Sequence, residues 1–252
     1  MTKLIINADD FGYSKGVNLG IIEAYKNGVV TSATMMTNMP GAAHAAALAL
    51  ENPDLGVGVH LVLDCGRPVS DSVPSLINEN GDFHKIDGLE KYAELSDIEK
   101  EYTCQIEKFL SLGLVPTHLD SHHHLHGHKK IYPIVEKLAQ KYNLPVRKVS
   151  AEQGHSSNSN LKMVNYFNHE FFGDDLTTEL FIEIINKTLS YEISEVMTHP
   201  AFIDESILRG SSYALQRVRE LTILTSEEVK EAIVNKKIDL ATYKEVSHQS
   251  LV

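Results

Sequence analysis

Cysteine is scarce in this chain of 252 residues: only Cys65 and Cys104 occur. They stand far apart without a C-x-x-C or zinc-ribbon spacing, which excludes a disulfide framework and a cysteine-built zinc site and fits reduced thiols in a reducing compartment. Neither reads as a nucleophile, because free cysteine is more often a small packed hydrophobe than a reactive group. Positive charge is also short. Lys and Arg number 23 against 34 Asp and Glu, a net charge of −11. With no basic stripe to neutralise phosphates, nucleic acid and anionic membrane are poor partners, and a small molecule is the expected one. Long apolar runs are missing too. The opening MTKLIINADD carries a run far too short for a signal-peptide core, and no later stretch approaches the ~18 apolar residues of a membrane span. A cytoplasmic protein is expected. No repeat, low-complexity tract or Pro/Gly/Ser linker divides the chain, so one domain over residues 1–252 is expected, about the length that a single β/α barrel fills.

What the sequence does have is alternation. Short strand-like runs are predicted at 4–6, 32–36, 56–63, 117–119, 146–149, 195–197 and 240–243, each bounded by turn or polar residues. Between them, residues 15–26 place Val17, Ile21, Ala24 and Tyr25 on one face, and IYPIVEKLAQKYN repeats Ile131, Ile134, Val135, Leu138 and Tyr142 at helical spacing. TTELFIEIINKTL and TSEEVKEAIVNKK read the same way, the second opening on Thr225 or Ser226 as a cap. Strand and helix in series mean parallel strands with helical crossovers, an α/β fold. Periodicity alone does not separate an open doubly wound sheet from a barrel.

The unusual polar residues gather just after the strand-like runs, where parallel α/β folds build their sites. Asp9 and Asp10 follow the first run, His60 lies in the third, THLDSHHHLHGH follows the fourth, and His199 follows EVMT. Contributions spread from residue 9 to residue 199 suit a barrel, TIM-like with fewer than eight strands allowed, better than one switch point. His60 alone reads equally as a packed core histidine. The histidine run reads otherwise as an adventitious metal-binding surface. If 117–124 is extended, His118, Asp120, His122 and His124 share one face and His123 the other. Asp120 is then placed to fix the tautomer of a ligand histidine. Adjacent acids on a strand point to opposite faces and can take different partners; the bland alternative for Asp9–Asp10 is a helix cap, a role Ser14 already supplies.

A carboxylate with two imidazoles leaves coordination positions open for water and substrate, and suits Zn²⁺, Mn²⁺, Co²⁺ or Fe²⁺, or Mg²⁺ with waters completing the shell. A neighbouring acid can accept a proton from water, and a histidine on another strand can protonate a leaving group. That is a hydrolase constellation. Its rivals are another metal-dependent amide or phosphoester hydrolase, for which few cationic residues stand at these strand ends, and a non-catalytic metal-buffering or sugar-binding protein.

Four segments in order, NADDFGYSKGVNLGI, GVGVHLVL, PTHLDSHHHLH and EVMTHPAFID, resemble the signature segments of the YdjC-like carbohydrate deacetylases, the family of chitooligosaccharide deacetylase. The similarity runs from residue 3 to the closing DLATYKEV. It implies a distorted β/α barrel, one divalent metal ion (Mg²⁺, with Zn²⁺, Mn²⁺ or Co²⁺ as alternatives), a homodimer, and removal of acetyl groups from N-acetylated amino sugars such as diacetylchitobiose. Carried over by position, it implies Asp10, His60 and His124 as metal ligands, Asp9 as general base and His199 as general acid, with Arg147 a weaker candidate for orienting them. The loop 67–87 and the segment AEQGHSSNSN, 151–160, show least regular pattern, and no substrate preference is read from them.

Overall fold

In the computed structural model, which describes residues 2–149 and 161–247, the chain lays down β1 (Lys3–Phe11), β2 (Ser32–Met35), β3 (Gly56–Leu61), β4 (Leu119–Ser121), β5 (Tyr166–Asn168), β6 (Ile193–Thr198) and the two-residue β7 (Asp239–Leu240). Every strand pairing is parallel, in the order β4-β3-β2-β1-β6-β5, with β7 beside the start of β1. Val146 adds a parallel bridge beyond β4. Among the described residues no pairing closes the sheet between this bridge and β5: a half-barrel, a distorted β/α barrel of seven strands. The segment AEQGHSSNSN lies outside the described residues.

Strands β1, β2, β3, β4 and β6 are buried on both faces because helices cover the outside while side chains fill the inside. Eight of the nine residues of β1 are buried. The covering helices are α1 (Lys15–Lys26), α2 (Ala42–Glu51), α3 (Ile86–Tyr92), α4 (Leu95–Ser111), α5 (Tyr132–Tyr142), α6 (Thr178–Thr188), α7 (Glu205–Gly210), α8 (Leu215–Leu224), α9 (Glu227–Asn235) and α10 (Tyr243–Ser247). Their starts follow capping chemistry: Ser14, Thr177, Asp204 and Ser226 each accept a backbone N–H of the first turn. Ser14 thus caps α1, as expected, and leaves Asp9 and Asp10 free of that duty. Of the expected strands, 146–149 contributes one bridge only. The stretch 240–243 yields a strand that stops at Leu240, because Thr242 pairs with Glu245 to open α10.

Candidate active site

The carboxyl end of β1 carries the first departure from regular pleating. Asp10 adopts φ 68°, and the register with β2 slips between Ala8 and Phe11. Gly12 follows at φ 94°, its N–H donating to Asn18 Oδ1 at 2.6 Å, and a Cβ there would sit 2.9 Å from the Met36 carbonyl oxygen, so only glycine fits the turn. This bulge corrects the expectation of opposite faces: both Asp9 and Asp10 line one cleft of about 530 Å³ at the carboxyl ends of the strands.

The two acids nevertheless have different partners. Asp9 is gripped by Arg147, whose Nη1 donates to Oδ2 at 2.7 Å and Nη2 to Oδ1 at 2.6 Å, while Asn7 Nδ2 donates to Oδ1 at 2.9 Å. Arg147 is fully buried and also reaches Asp120 Oδ2 at 2.9 Å and Glu195 Oε1 at 2.8 Å. One cation serves three carboxylates. Burial alone would raise the Asp9 carboxyl; the guanidinium outweighs it and holds the group well below the usual carboxylate range.

Asp10 faces another way. Its Oδ2 accepts from Arg217 Nη2 at 2.6 Å. Its Oδ1 is buried and makes no hydrogen bond, although His60 Nε2 lies 3.4 Å and His122 Nδ1 3.2 Å away. The ligand atoms of Asp10, His60 and His122 fall within 4.8 Å of one another. On the far side of the His60 ring, Nδ1 meets Asp120 Oδ1 at 2.7 Å, the tautomer-fixing contact expected of Asp120. Burial opposes charge on His60, but Asp120, Asp10 and Asp9 push its pKa up to about 10. The three atoms converge on one point where a positive charge is favoured, which is what a cation site requires.

The histidine run does not continue the strand. Extended backbone ends at Ser121, and His122–Gly127 forms a 3₁₀ turn in which His123 and His124 take φ 51° and 55°. Ser121 Oγ closes it, accepting the His126 N–H at 2.7 Å and meeting His126 Nδ1 at the same distance. The assumed alternation over 117–124 therefore fails past Ser121. His122 turns to Asp10 and His60, His123 pairs with Asp64 at 2.5 Å, and His124 lies towards β5, its ring 5.7 Å from Phe167 and 6.0 Å from His169. His124 lines the cleft but stands outside the Asp10–His60–His122 group. His118 is buried against Tyr243, away from the cleft.

Across the cleft, His199 follows β6. Its backbone N–H donates to Glu220, its Nδ1 lies 3.7 Å from Glu220 Oε1, and Glu220 also accepts from the Tyr213 hydroxyl at 2.6 Å. Cys65 borders the cleft, but burial and the neighbouring Asp10 and Asp64 push its thiol up to about 11, in keeping with a non-nucleophilic role. Sequence reasoning did not find Arg217, Glu220 or Tyr213. The signal was available: Arg217 and Glu220 sit three apart on the same face of α8 as Leu221 and Leu224, and charge on an apolar face needs a reason.

An acid held by an arginine, a carboxylate–imidazole triangle beside it and a carboxylate-backed histidine opposite, all at the strand ends of a β/α half-barrel, define a hydrolase site. The chain belongs to the YdjC-like protein family, whose model matches residues 3–235. It is 51% identical over 241 residues to a carbohydrate deacetylase of Geobacillus stearothermophilus, covering 96% of each chain. It is 41% identical to a chitooligosaccharide deacetylase of Proteus mirabilis, covering 96% of this chain and 98% of that one. Among solved structures, a proposed cellobiose-phosphate cleavage protein of Enterococcus faecalis V583 superposes with TM-score 0.93 at 38% identity over 97% of this chain and 98% of that one. A family 4 carbohydrate esterase of Streptomyces lividans shares the fold, with TM-score 0.53 at 9% identity over 95% and 92% of the two chains.

Proposed function

We propose that this site removes acetyl groups from N-acetylated amino sugars of the chitooligosaccharide type, diacetylchitobiose among them, using one divalent ion held by Asp10, His60 and His122. Carbohydrate deacetylation is the activity by which its relatives are named. The observation that carries the metal is the buried, hydrogen-bond-free Asp10 Oδ1 facing two imidazole nitrogens. His122 replaces His124 of the sequence reading because the 3₁₀ turn brings it to the other two. By family resemblance the ion is Mg²⁺, with Zn²⁺, Mn²⁺ or Co²⁺ equally compatible with the donor set. By the same resemblance the enzyme is a cytoplasmic homodimer of one-domain chains.

A divalent ion here supplies polarisation of the acetamide carbonyl and a lowered pKa for nearby water. Asp9, ionised throughout the neutral range, accepts the proton of the attacking water. Arg147 fixes both Asp9 oxygens so that the acceptor does not swing away, and Asp120 keeps His60 Nε2 turned towards Asp10. His199 donates a proton to the departing nitrogen as the C–N bond breaks, its backbone N–H anchored on Glu220. Acetate and a free amino sugar leave.

The test measures acetate release and new amine from diacetylchitobiose, together with metal content. His122→Ala is expected to lose tight metal binding and turnover, while His124→Ala keeps the ion. The reverse pattern would return His124 to the ligand set. No acetate from any N-acetylated sugar with any of the four metals would overturn the function.

A further inference from the structure

One exposed aromatic residue stands at the mouth of the cleft. Phe172 is 53% exposed and borders the cleft, while its neighbour Phe171 is fully buried against Phe181. Phe172 is stacked on Tyr213, with ring centroids 4.1 Å apart and planes 18° apart, and meets the His199 ring edge-on at 5.5 Å. The stack is pinned. Gly173, at φ 109°, donates its N–H to the Tyr213 hydroxyl at 3.3 Å, and that hydroxyl donates to Glu220, the partner of His199. An exposed aromatic on a loose loop would be unremarkable. One locked by its own loop to the residue that steadies the proposed acid belongs to the site.

We propose that the Phe172–Tyr213 stack is the platform on which the sugar ring of the substrate lies, its apolar C–H face against the exposed part of Phe172. This rests on the deacetylase reading. For His199 to protonate the leaving nitrogen it must come within ~3 Å of it. That nitrogen is bonded directly to a carbon of the pyranose, so the ring cannot be far from His199. Among the residues packed beside His199, Phe172 offers an exposed flat apolar face, and a pyranose has apolar C–H faces with hydroxyls at its edge. Aromatic rings bury large area in a fixed geometry without needing a charge on the ligand. The platform therefore selects a cyclic, neutral substrate over an acyclic acetamide of the same reactivity.

The chain contains no tryptophan, so Phe172→Trp places a single indole on the platform as a reporter. Its fluorescence should shift and saturate on titration with N,N′-diacetylchitobiose and stay unchanged with N-acetylethanolamine. Phe172→Ala should raise KM for the disaccharide on the order of tenfold, as expected for losing roughly 60 Å² of apolar burial. Its kcat and metal content should stay near the parent's, and Phe172→Trp or Phe172→Tyr should restore KM. Equal loss of kcat and KM that neither aromatic restores, or an indole blind to the sugar in an enzyme that deacetylates it, would overturn the platform. An indole that reports sugar binding in a protein that releases no acetate would sustain the platform and sink the deacetylase reading instead.

Discussion

Arg147 gives the sharpest quantitative test of the site's construction. Arg147→Met keeps the buried volume near constant and removes the cation, so the change reports charge rather than a cavity. Asp9, Asp120 and Glu195, all buried, then lose their shared partner. Removing one partner of a buried ion pair costs about 3–5 kcal/mol. At ~2–4 °C per kcal/mol for a chain of this size, the melting temperature should fall by roughly 6–20 °C at pH 8. The pH dependence supplies the sign. In the parent, burial pushes the Asp9 carboxyl up but Arg147 holds it low, so its contribution is present above about pH 4 and is lost only as pH falls below that. Without Arg147, burial, the largest influence on each, is opposed only by His60 and His199 at Asp9, His60 at Asp120 and the Tyr243 hydroxyl at Glu195, so the carboxyls rise and the variant loses stability as pH climbs through their raised pKa values. The gap in melting temperature between parent and variant should therefore narrow from pH 8 to pH 5. Differential scanning calorimetry on the metal-free proteins measures it. A variant within about 2 °C of the parent at pH 8, or a gap that widens on acidification, would refute the claim that Arg147 holds these acids ionised.

Two further predictions follow from the same geometry. Asp9→Asn should keep the metal and lose roughly 10²–10⁴-fold in kcat, whereas Asp10→Asn should lose metal affinity along with rate; equilibrium dialysis beside an acetate assay separates them, and an Asp9→Asn protein that loses the metal reverses the roles. Acid should destabilise the parent well above the carboxylate range, because burial holds His118 and His126 down to about 3, against ~6.5 when unfolded. Their contribution is present above pH 6.5 and lost as pH falls towards 3, at ~1.4 kcal/mol per pH unit for each. Glu195, which burial pushes up to about 6, opposes them with one proton between pH 6 and 4.5. Thermal melts should decline from pH 6.5 to 4.5, and a flat profile would show that the two imidazoles are not held neutral.

The barrel class and the strand ends that carry the site were legible because they depend on average properties: apolar runs of strand length, helical spacing, and polar residues just past each run. β5 was missed because Tyr166–Asn168 is three residues long with one of them fully buried, too little to show a period. The roles of individual residues were less legible, for a more specific reason. Alternation assigns faces only while backbone stays extended, and at both places that matter here it does not. Asp10, His123 and His124 all adopt positive φ, a conformation that disfavours any residue with a Cβ by about 1–2 kcal/mol. No pattern of residue types announces it. The bulge brings both acids of ADDFG into one cleft, and the 3₁₀ turn exchanges His124 for His122 beside Asp10 and His60. Strain of this kind persists only where the surroundings enforce it, and the Ser121–His126 contacts and the Asn18–Gly12 hydrogen bond do so here. The sequence rules thus fail at the residues with the most chemistry to do, since a site that gathers side chains from three strand ends towards one point cannot leave all of them on regular backbone.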